Sequence, residues 1–214
     1  MLVKERMSQP VVTVTPEMPI MEALQLMKKQ RIRRTPVVKD GQLVGIISDR
    51  DLLNASPSDV TSLSVWEINY LLGQIHVEEV MTRDVITVDV STPLEVAARL
   101  MADNSIGGIP VTDDGEVVGL ITETDLFKIF LEILGAREPG LRVSAMVPER
   151  PGTLARLTRA VADAGGDFMS FGVFYGEDSS NREVTFKVTG VDEATLRRVI
   201  SPLVERVVDV RASG

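Results

Sequence analysis

Two copies of one short motif carry the residues that could do chemistry. Ser48 and Asp51 follow a short apolar run, and Thr122 and Asp125 follow a second apolar run in the same way. This spacing is typical of a helix start, where the hydroxyl accepts a backbone N–H and the acidic residue suits the helix dipole. A helix N-terminus can also hold phosphate, and a carboxylate one turn further on can accept both hydroxyls of a ribose. Helix capping and ligand binding are both compatible with the motif.

The motifs belong to a longer internal repeat, which keeps a constant offset of 74 residues (122 − 48 = 125 − 51 = 74) without a gap. Such self-similarity predicts two copies of one structural unit. Other pairs at this offset are Met7 and Met81, Pro19 and Pro93, Met27 and Met101, and Pro36 and Pro110.

Each copy predicts the order β-α-β-β-α, from β-branched runs, helical apolar spacing and an Asp-Gly turn. In the first copy, strands are predicted at residues 11–14, 35–38 and 43–47, with helices at 20–30 and from Ser48 onward. In the second, strands are predicted at 85–88, 109–112 and 117–121, with helices at 93–103 and 125–134. A short helix at 60–73, which contains Trp66 and Tyr70, is predicted to join the copies.

Composition narrows the class of protein. The 214 residues carry a net charge of −8, which argues against nucleic-acid binding because a duplex must be met by Lys and Arg. The absence of cysteine is compatible with a reducing cytosol. No apolar run reaches the ~20 residues of a membrane span. The sequence has no P-loop, no nucleophile beside a base and no cluster of metal ligands, so we expect neither an enzyme nor a metal or cofactor.

Residues 1–135 resemble the CBS domain family. The resemblance rests on the two motifs with their preceding apolar runs (45–51 and 119–125), supported by residues 32–37 and 106–111. It implies that units at about residues 1–55 and 75–135 pair with pseudo-twofold symmetry and bind an adenosine nucleotide (AMP, ADP or ATP) in a cleft. Asp51 and Asp125 would then hold ribose, and Ser48 and Thr122 would touch phosphate. The residues implied around adenine are Val12, Val14, Thr35, Pro36, Ile86, Val88, Ile109 and Pro110.

The two clefts are expected to differ. Arg33 and Arg34 lie in the first copy at the positions of Gly107 and Gly108 in the second. Arginine suits phosphate because it is always charged and binds two oxygens at once. In the CBS family the phosphate is often met by basic residues of the opposite unit. We therefore expect Arg33 and Arg34 to serve the Thr122/Asp125 cleft as the stronger site, with Arg50 serving the other. The alternative is that these arginines form only a solvated basic patch.

Residues 136–140 predict a linker, and residues 141–214 predict a second, ferredoxin-like domain of order β-α-β-β-α-β. Its first strand and Pro-Gly turn resemble the ACT domain family, which implies pairing of two chains and amino-acid binding near the turn. The implied residues are Glu149, Gly152 and Asp167. Two positions depart from the family pattern: Glu149 stands where Asp is usual, and Asp167-Phe168 stands where Asn-Ile is frequent. The alternative is a dimerisation module alone, paired through an exposed strand edge.

The domain order as a whole, an α/β (α+β) chain of two CBS units followed by an ACT domain, resembles acetoin-utilisation (AcuB-type) regulatory proteins. We therefore expect a cytoplasmic, homodimeric, non-catalytic sensor of an adenosine nucleotide, whose regulated target the sequence does not identify. The alternative is a scaffold or interaction protein with vestigial clefts.

Overall fold

The computed structural model describes residues 1–55 and 73–213, which form two compact units, Met1–Leu126 and Phe127–Gly214. The helix predicted at residues 60–73 lies almost wholly outside the described residues. The division between the units falls earlier in the chain than the predicted boundary at residue 135, and that boundary stays a prediction.

The first repeat is built on one hairpin and two helices. Its elements are a 3₁₀ turn (Val3–Glu5), α1 (Ile20–Gln30), β1 (Arg34–Lys39), β2 (Gln42–Ser48) and α2 (Asp49–Asn54). Helix α1 begins after Pro19 and buries one face of apolar side chains: Ile20, Ala23, Leu24 and Met27. Strands β1 and β2 are antiparallel, and the turn between them holds Asp40 and Gly41 at φ angles of 50° and 82°.

The second repeat reproduces this order. Its elements are α3 (Val77–Val80), β3 (Val88–Asp89), α4 (Leu94–Asn104), β4 (Gly108–Asp113), β5 (Glu116–Thr122) and α5 (Glu123–Ile133). Strands β3, β4 and β5 form one sheet, in which β3 runs parallel to β4. Both repeats contain the predicted hairpin, so the internal repeat correctly predicted a duplicated unit.

The strand predicted at residues 11–14 is wrong. Only Val14 pairs there, in a single parallel bridge to Val37. The flanking Pro10 and Pro16 have no N–H to extend the ladder. In the second repeat the corresponding strand is reduced to Val88–Asp89.

The two repeats are interlocked by their first segments, which lie before α1 and before α4. Ser8 pairs with Leu120 on β5 of the second repeat, with N···O distances of 2.9 and 3.2 Å. Thr82 pairs in the same way with Ile46 on β2 of the first repeat, with both distances at 2.9 Å. Each hairpin is therefore completed by a residue from the first segment of the other repeat.

This pairing between the repeats makes Gly45 on β2 more sensitive to substitution than Gly119 on β5. A Cβ at Gly45 would lie 2.5 Å from Met81 Sδ and 3.0 Å from the backbone oxygen of Thr82, whereas the three atoms nearest a Cβ at Gly119 all belong to the Met7 side chain. We expect Gly45→Ala to lower the free energy of unfolding by about 2 kcal/mol, because the backbone contact cannot be relieved by a rotamer change. The corresponding fall in melting temperature is roughly 4–8 °C.

The matched variant is Gly119→Ala, whose effect should be less than half as large. Thermal unfolding of both variants checks this difference. Equal losses of stability would contradict the interlocked packing of Met81 and Thr82 on β2.

The second unit follows the predicted order β-α-β-β-α-β. Its elements are β6 (Gly140–Pro148), α6 (Thr153–Asp163), β7 (Asp167–Tyr175), β8 (Asn181–Thr189), α7 (Glu193–Ile200) and β9 (Arg206–Ser213). The strands form one antiparallel sheet in the order β7-β8-β6-β9, which is the ferredoxin-like arrangement. Helix α7 ends before Pro202, and a 3₁₀ turn (Ser201–Leu203) follows.

The two faces of this sheet are packed differently. One face forms an apolar core, in which Phe168, Phe171 and Phe186 lie with ring centroids 5.4–5.7 Å apart. On β8, Lys187 is only 4% exposed. Its Nζ donates to the carbonyl oxygens of Gly135 (2.8 Å) and Glu138 (2.6 Å). The segment that follows α5 is thereby fastened to the sheet.

Candidate functional site

A cavity of about 570 Å³ lies in the first unit, and both repeats contribute to its walls. From the first repeat it takes Arg33, Arg34 and the end of β2 with the start of α2 (residues 46–51). From the second it takes Thr82, residues 84–86, residues 105–108 and Glu123. Its volume is within the range of small-molecule sites.

Ser48 and Asp51 are held in this cavity by a reciprocal helix cap. The Ser48 backbone N–H and hydroxyl both donate to Asp51 Oδ2, at 2.8 and 2.6 Å, and the Asp51 N–H donates to Ser48 Oγ at 3.2 Å. In the described part of the chain Asp51 Oδ1 accepts no hydrogen bond. Capping thus fixes the carboxylate while leaving one oxygen for a ligand, so the two interpretations of the motif coexist.

The second motif shares the two hydrogen bonds to its aspartate but differs in exposure. The Thr122 N–H and hydroxyl donate to Asp125 Oδ2 at 3.1 and 2.7 Å. Asp125 is only 7% exposed, whereas Asp51 is half-buried. The wall of the cavity includes Ser48 and Asp51 but neither Thr122 nor Asp125.

Arg33 and Arg34 lie in the wall of the Ser48/Asp51 cavity, whereas they were predicted to serve the Thr122/Asp125 cleft, and that assignment stays a prediction. Their position in this wall follows from the register of the hairpin, which sets Arg34 directly opposite Ser48. The Asp49 N–H donates to the Arg33 carbonyl at 2.9 Å, which holds the start of α2 beside β1.

The Arg34 side chain also reaches the second repeat, across two glycines. A Cβ at Gly108 would lie 2.7 Å from Arg34 Cδ, and a Cβ at Gly107 would lie 3.0 Å from Arg34 Cζ. Glu123 Oε2 approaches the same point above Gly107, at 2.7 Å. The glycines therefore give Arg34 the space to lie along the second repeat, next to the start of α5.

The remaining predicted residues are divided between the cavity and the core. Ile86 and Arg50 line the cavity, where Ile86 joins the apolar side chains Ile46, Val85 and Ile106. The other predicted adenine contacts do not line it: Val12, Val14, Thr35, Pro36, Val88, Ile109 and Pro110. Thr35 is fully buried, and its hydroxyl donates to the Val12 carbonyl at 2.5 Å. This hydrogen bond within the fold occupies both groups.

Three carboxylates of the cavity were not predicted, namely Asp49, Asp84 and Glu123. Of these three, Glu123 has its carboxylate over Gly107, beside the guanidinium group of Arg34. Within residues 1–55 and 73–213 none of the guanidinium groups of Arg33, Arg34 and Arg50 forms an ion pair. The described residues also contain no group of three or more His, Cys, Asp or Glu side chains that could hold a metal ion. The cavity is thus a site of mixed charge with an apolar wall.

The predicted amino-acid site in the second unit is not assembled within one chain. Glu149 Oε2 accepts from Arg182 Nε at 2.7 Å, and this hydrogen bond raises the pKa of Arg182. Gly152 begins α6 with a φ of 81°. Asp167, however, pairs with Thr189, at the end of β8 opposite to the end that Glu149 adjoins. Asp167 therefore lies a whole strand length away from Glu149 and Gly152.

Comparison with known proteins places the first unit in a family. A sequence model of the CBS domain matches residues 3–58 and 77–132, which is more than half of the chain. An uncharacterised protein of Methanocaldococcus jannaschii, MJ1225, is 32% identical over 137 residues, which cover 60% of this chain and 47% of that protein. The chain therefore matches only about half the length of this relative. Among the described residues, no helix is long and apolar enough to cross a membrane.

Solved structures resemble the same region. The CBS domain pair of MJ0100, in complex with 5′-methylthioadenosine and S-adenosyl-L-methionine, is 34% identical with a TM-score of 0.51 and covers 61% of this chain and 95% of that one. CBSX2 in complex with AMP is 33% identical with a TM-score of 0.51, covering 62% and 97%. A putative acetoin utilization protein (AcuB) from Vibrio cholerae is 30% identical with a TM-score of 0.53, covering 64% and 96%. The chain belongs to the CBS domain family.

Proposed function

We propose that this protein is a non-catalytic regulatory sensor that binds an adenosine-containing ligand in the Ser48/Asp51 cavity. The observation that carries the proposal is the composition of that cavity. A fixed carboxylate, three arginines and an apolar wall converge in a space of about 570 Å³. CBS pairs of similar sequence bind AMP, S-adenosylmethionine and 5′-methylthioadenosine, all of which contain adenosine.

Each part of such a ligand has a matching part of the wall. Asp51 would accept the ribose hydroxyls through Oδ1, since Oδ2 is held by the helix cap. Arg33 and Arg34 would meet an anionic 5′ group, with Arg50 on the same wall. The apolar side chains Ile46, Ile86 and Ile106 would cover adenine.

Regulation would follow from the position of the cavity between the repeats. A ligand that touches both repeats stabilises the arrangement in which both sets of contacts are made, and it shifts the equilibrium by its difference in affinity for the two states. The Thr122/Asp125 cleft was predicted to be the stronger site. We propose it instead as the weaker one, because Asp125 is already almost fully covered.

For the second unit we propose an ACT-like role in pairing two chains or sensing an amino acid. Strand β7 is an edge of the sheet, and its exposed apolar side chains Met169, Val173 and Phe174 support pairing. Two paired chains could bring Asp167 of one copy near Glu149 of the other. A link to acetoin metabolism belongs to the same proposal and rests on the AcuB likeness alone. The proposed cytoplasmic location rests on the lack of cysteine in the sequence.

The proposal is tested by thermal unfolding with AMP, ADP, ATP, S-adenosylmethionine and a panel of amino acids. A ligand at 100 times its dissociation constant adds about 2.7 kcal/mol to the free energy of unfolding, or roughly 5–10 °C for a chain of this size. We expect a shift with at least one adenosine ligand. A shift with amino acids alone would move sensing to the second unit, and a stable oligomer without any shift would favour a scaffold.

A further inference from the structure

Glu123 stands in the cavity but has no role in the binding scheme above. It is the first residue of α5, and its N–H donates to the Gly107 carbonyl at 3.2 Å. Its side chain turns back over Gly107, where Arg34 arrives from the other repeat. The carboxylate and the guanidinium group therefore lie over the same glycine, inside the ligand cavity.

This arrangement lowers the net positive charge that the cavity offers to a ligand. Opposite charges a few ångströms apart attract strongly in a partly desolvated site, so Glu123 offsets part of the positive charge of Arg34. Asp49 and Asp84 add two further carboxylates to the wall. Arg33, Arg50 and a partly neutralised Arg34 can match one phosphate group, which carries about −1.5 to −2 charges. Further phosphates would meet carboxylates.

We propose that Glu123 is a specificity-determining residue that restricts the ligand of this cavity to one phosphate group. It does so by offsetting part of the positive charge of Arg34 over Gly107 and by repelling a second or third phosphate. This inference rests on the proposed binding of an adenosine ligand and adds to it a preference for a nucleoside monophosphate over a triphosphate.

The test is isothermal titration of the full chain with AMP, ADP and ATP in magnesium-free buffer. We expect the wild type to bind AMP about tenfold or more tightly than ATP, a difference of about 1.4 kcal/mol. Glu123→Gln keeps the size of the side chain and removes its charge, and it should reduce the AMP:ATP preference to roughly threefold or less, mainly by tightening ATP binding. Glu116→Gln, a matched change at the opposite end of β5 and outside the cavity wall, should leave the preference unchanged.

Three results would overturn the inference while leaving the proposed function in place. These are equal binding of AMP and ATP by the wild type, an unchanged preference in Glu123→Gln, or the same change in Glu116→Gln. No binding of AMP, ADP, ATP or S-adenosylmethionine by the wild type would overturn the proposed function and this inference together. Matching thermal unfolding curves of the unliganded variants would establish that Glu123→Gln is folded.

Discussion

Asp51→Ala is expected to weaken binding of an adenosine ligand about a hundredfold or more. The change removes the one carboxylate that the helix cap fixes in the cavity with a free oxygen. Two hydrogen bonds from ribose hydroxyls to a carboxylate, at about 1.5–3 kcal/mol each, account for a loss of this size. Titration calorimetry with AMP measures it directly.

Two control variants separate binding from stability. Asp51→Asn retains an acceptor for the Ser48 N–H and so preserves much of the cap, yet it lacks the charge and should still bind more weakly. Asp125→Ala removes the equivalent cap of the second repeat and should lower stability, while affinity at the Ser48/Asp51 cavity stays within about threefold. A larger loss of affinity in Asp125→Ala than in Asp51→Ala would reverse the assignment of the two clefts.

Lys187→Met is expected to lower the free energy of unfolding of the second unit by about 3 kcal/mol. Methionine keeps most of the apolar stem but cannot donate to the Gly135 and Glu138 carbonyls. Hydrogen bonds from a charged group contribute about 1.5–3 kcal/mol each, and Lys187→Met removes two of them. Denaturant unfolding followed by circular dichroism measures the change.

Arg198→Met is the control, because Arg198 is an exposed cation on α7 of the same unit. It should change the free energy of unfolding by no more than about 0.5 kcal/mol. If Lys187→Met were as mild as Arg198→Met, the buried lysine would not be what fastens the segment after α5 to the sheet.

Strongly periodic elements could be predicted from the sequence, and pairing that depends on tertiary contacts could not. Helix α1 was predicted at residues 20–30, where it lies, because its apolar residues recur at helical spacing. Residues 11–14 have the β-branched side chains of a strand, but only Val14 finds a backbone partner. The residue types of a short extended segment do not determine how many of its backbone groups will pair with a neighbouring strand.

The arginines show which signal was overlooked. They were predicted to serve the Thr122/Asp125 cleft by analogy with a family trend, whereas they lie in the wall of the Ser48/Asp51 cavity. Counting back along the hairpin from the Asp40-Gly41 turn places Arg34 within one position of Ser48, and the bulge at Val37/Val38 supplies the remaining shift. Register within a hairpin was therefore a better guide to the position of Arg34 than expected symmetry.

The acidic residues of the cavity had no sequence signal of their own. Asp49 and Glu123 stand in the first turns of their helices, where acidic residues suit the helix dipole anyway. Asp84 comes from a segment without regular structure. Only the packing of the two repeats brings these three carboxylates to one cavity.

The second unit shows another limit of the sequence. Glu149 and Asp167 were grouped by resemblance, although they adjoin opposite ends of the sheet.

A crystal structure of the full chain grown with saturating AMP tests the central claim most directly. The account predicts AMP between the repeats, with its ribose hydroxyls about 3 Å from the Asp51 carboxylate and its phosphate facing Arg33 and Arg34. The account would be contradicted if AMP bound only beside Thr122 and Asp125. It would also be contradicted if the Ser48/Asp51 cavity stayed empty of nucleotide at saturation.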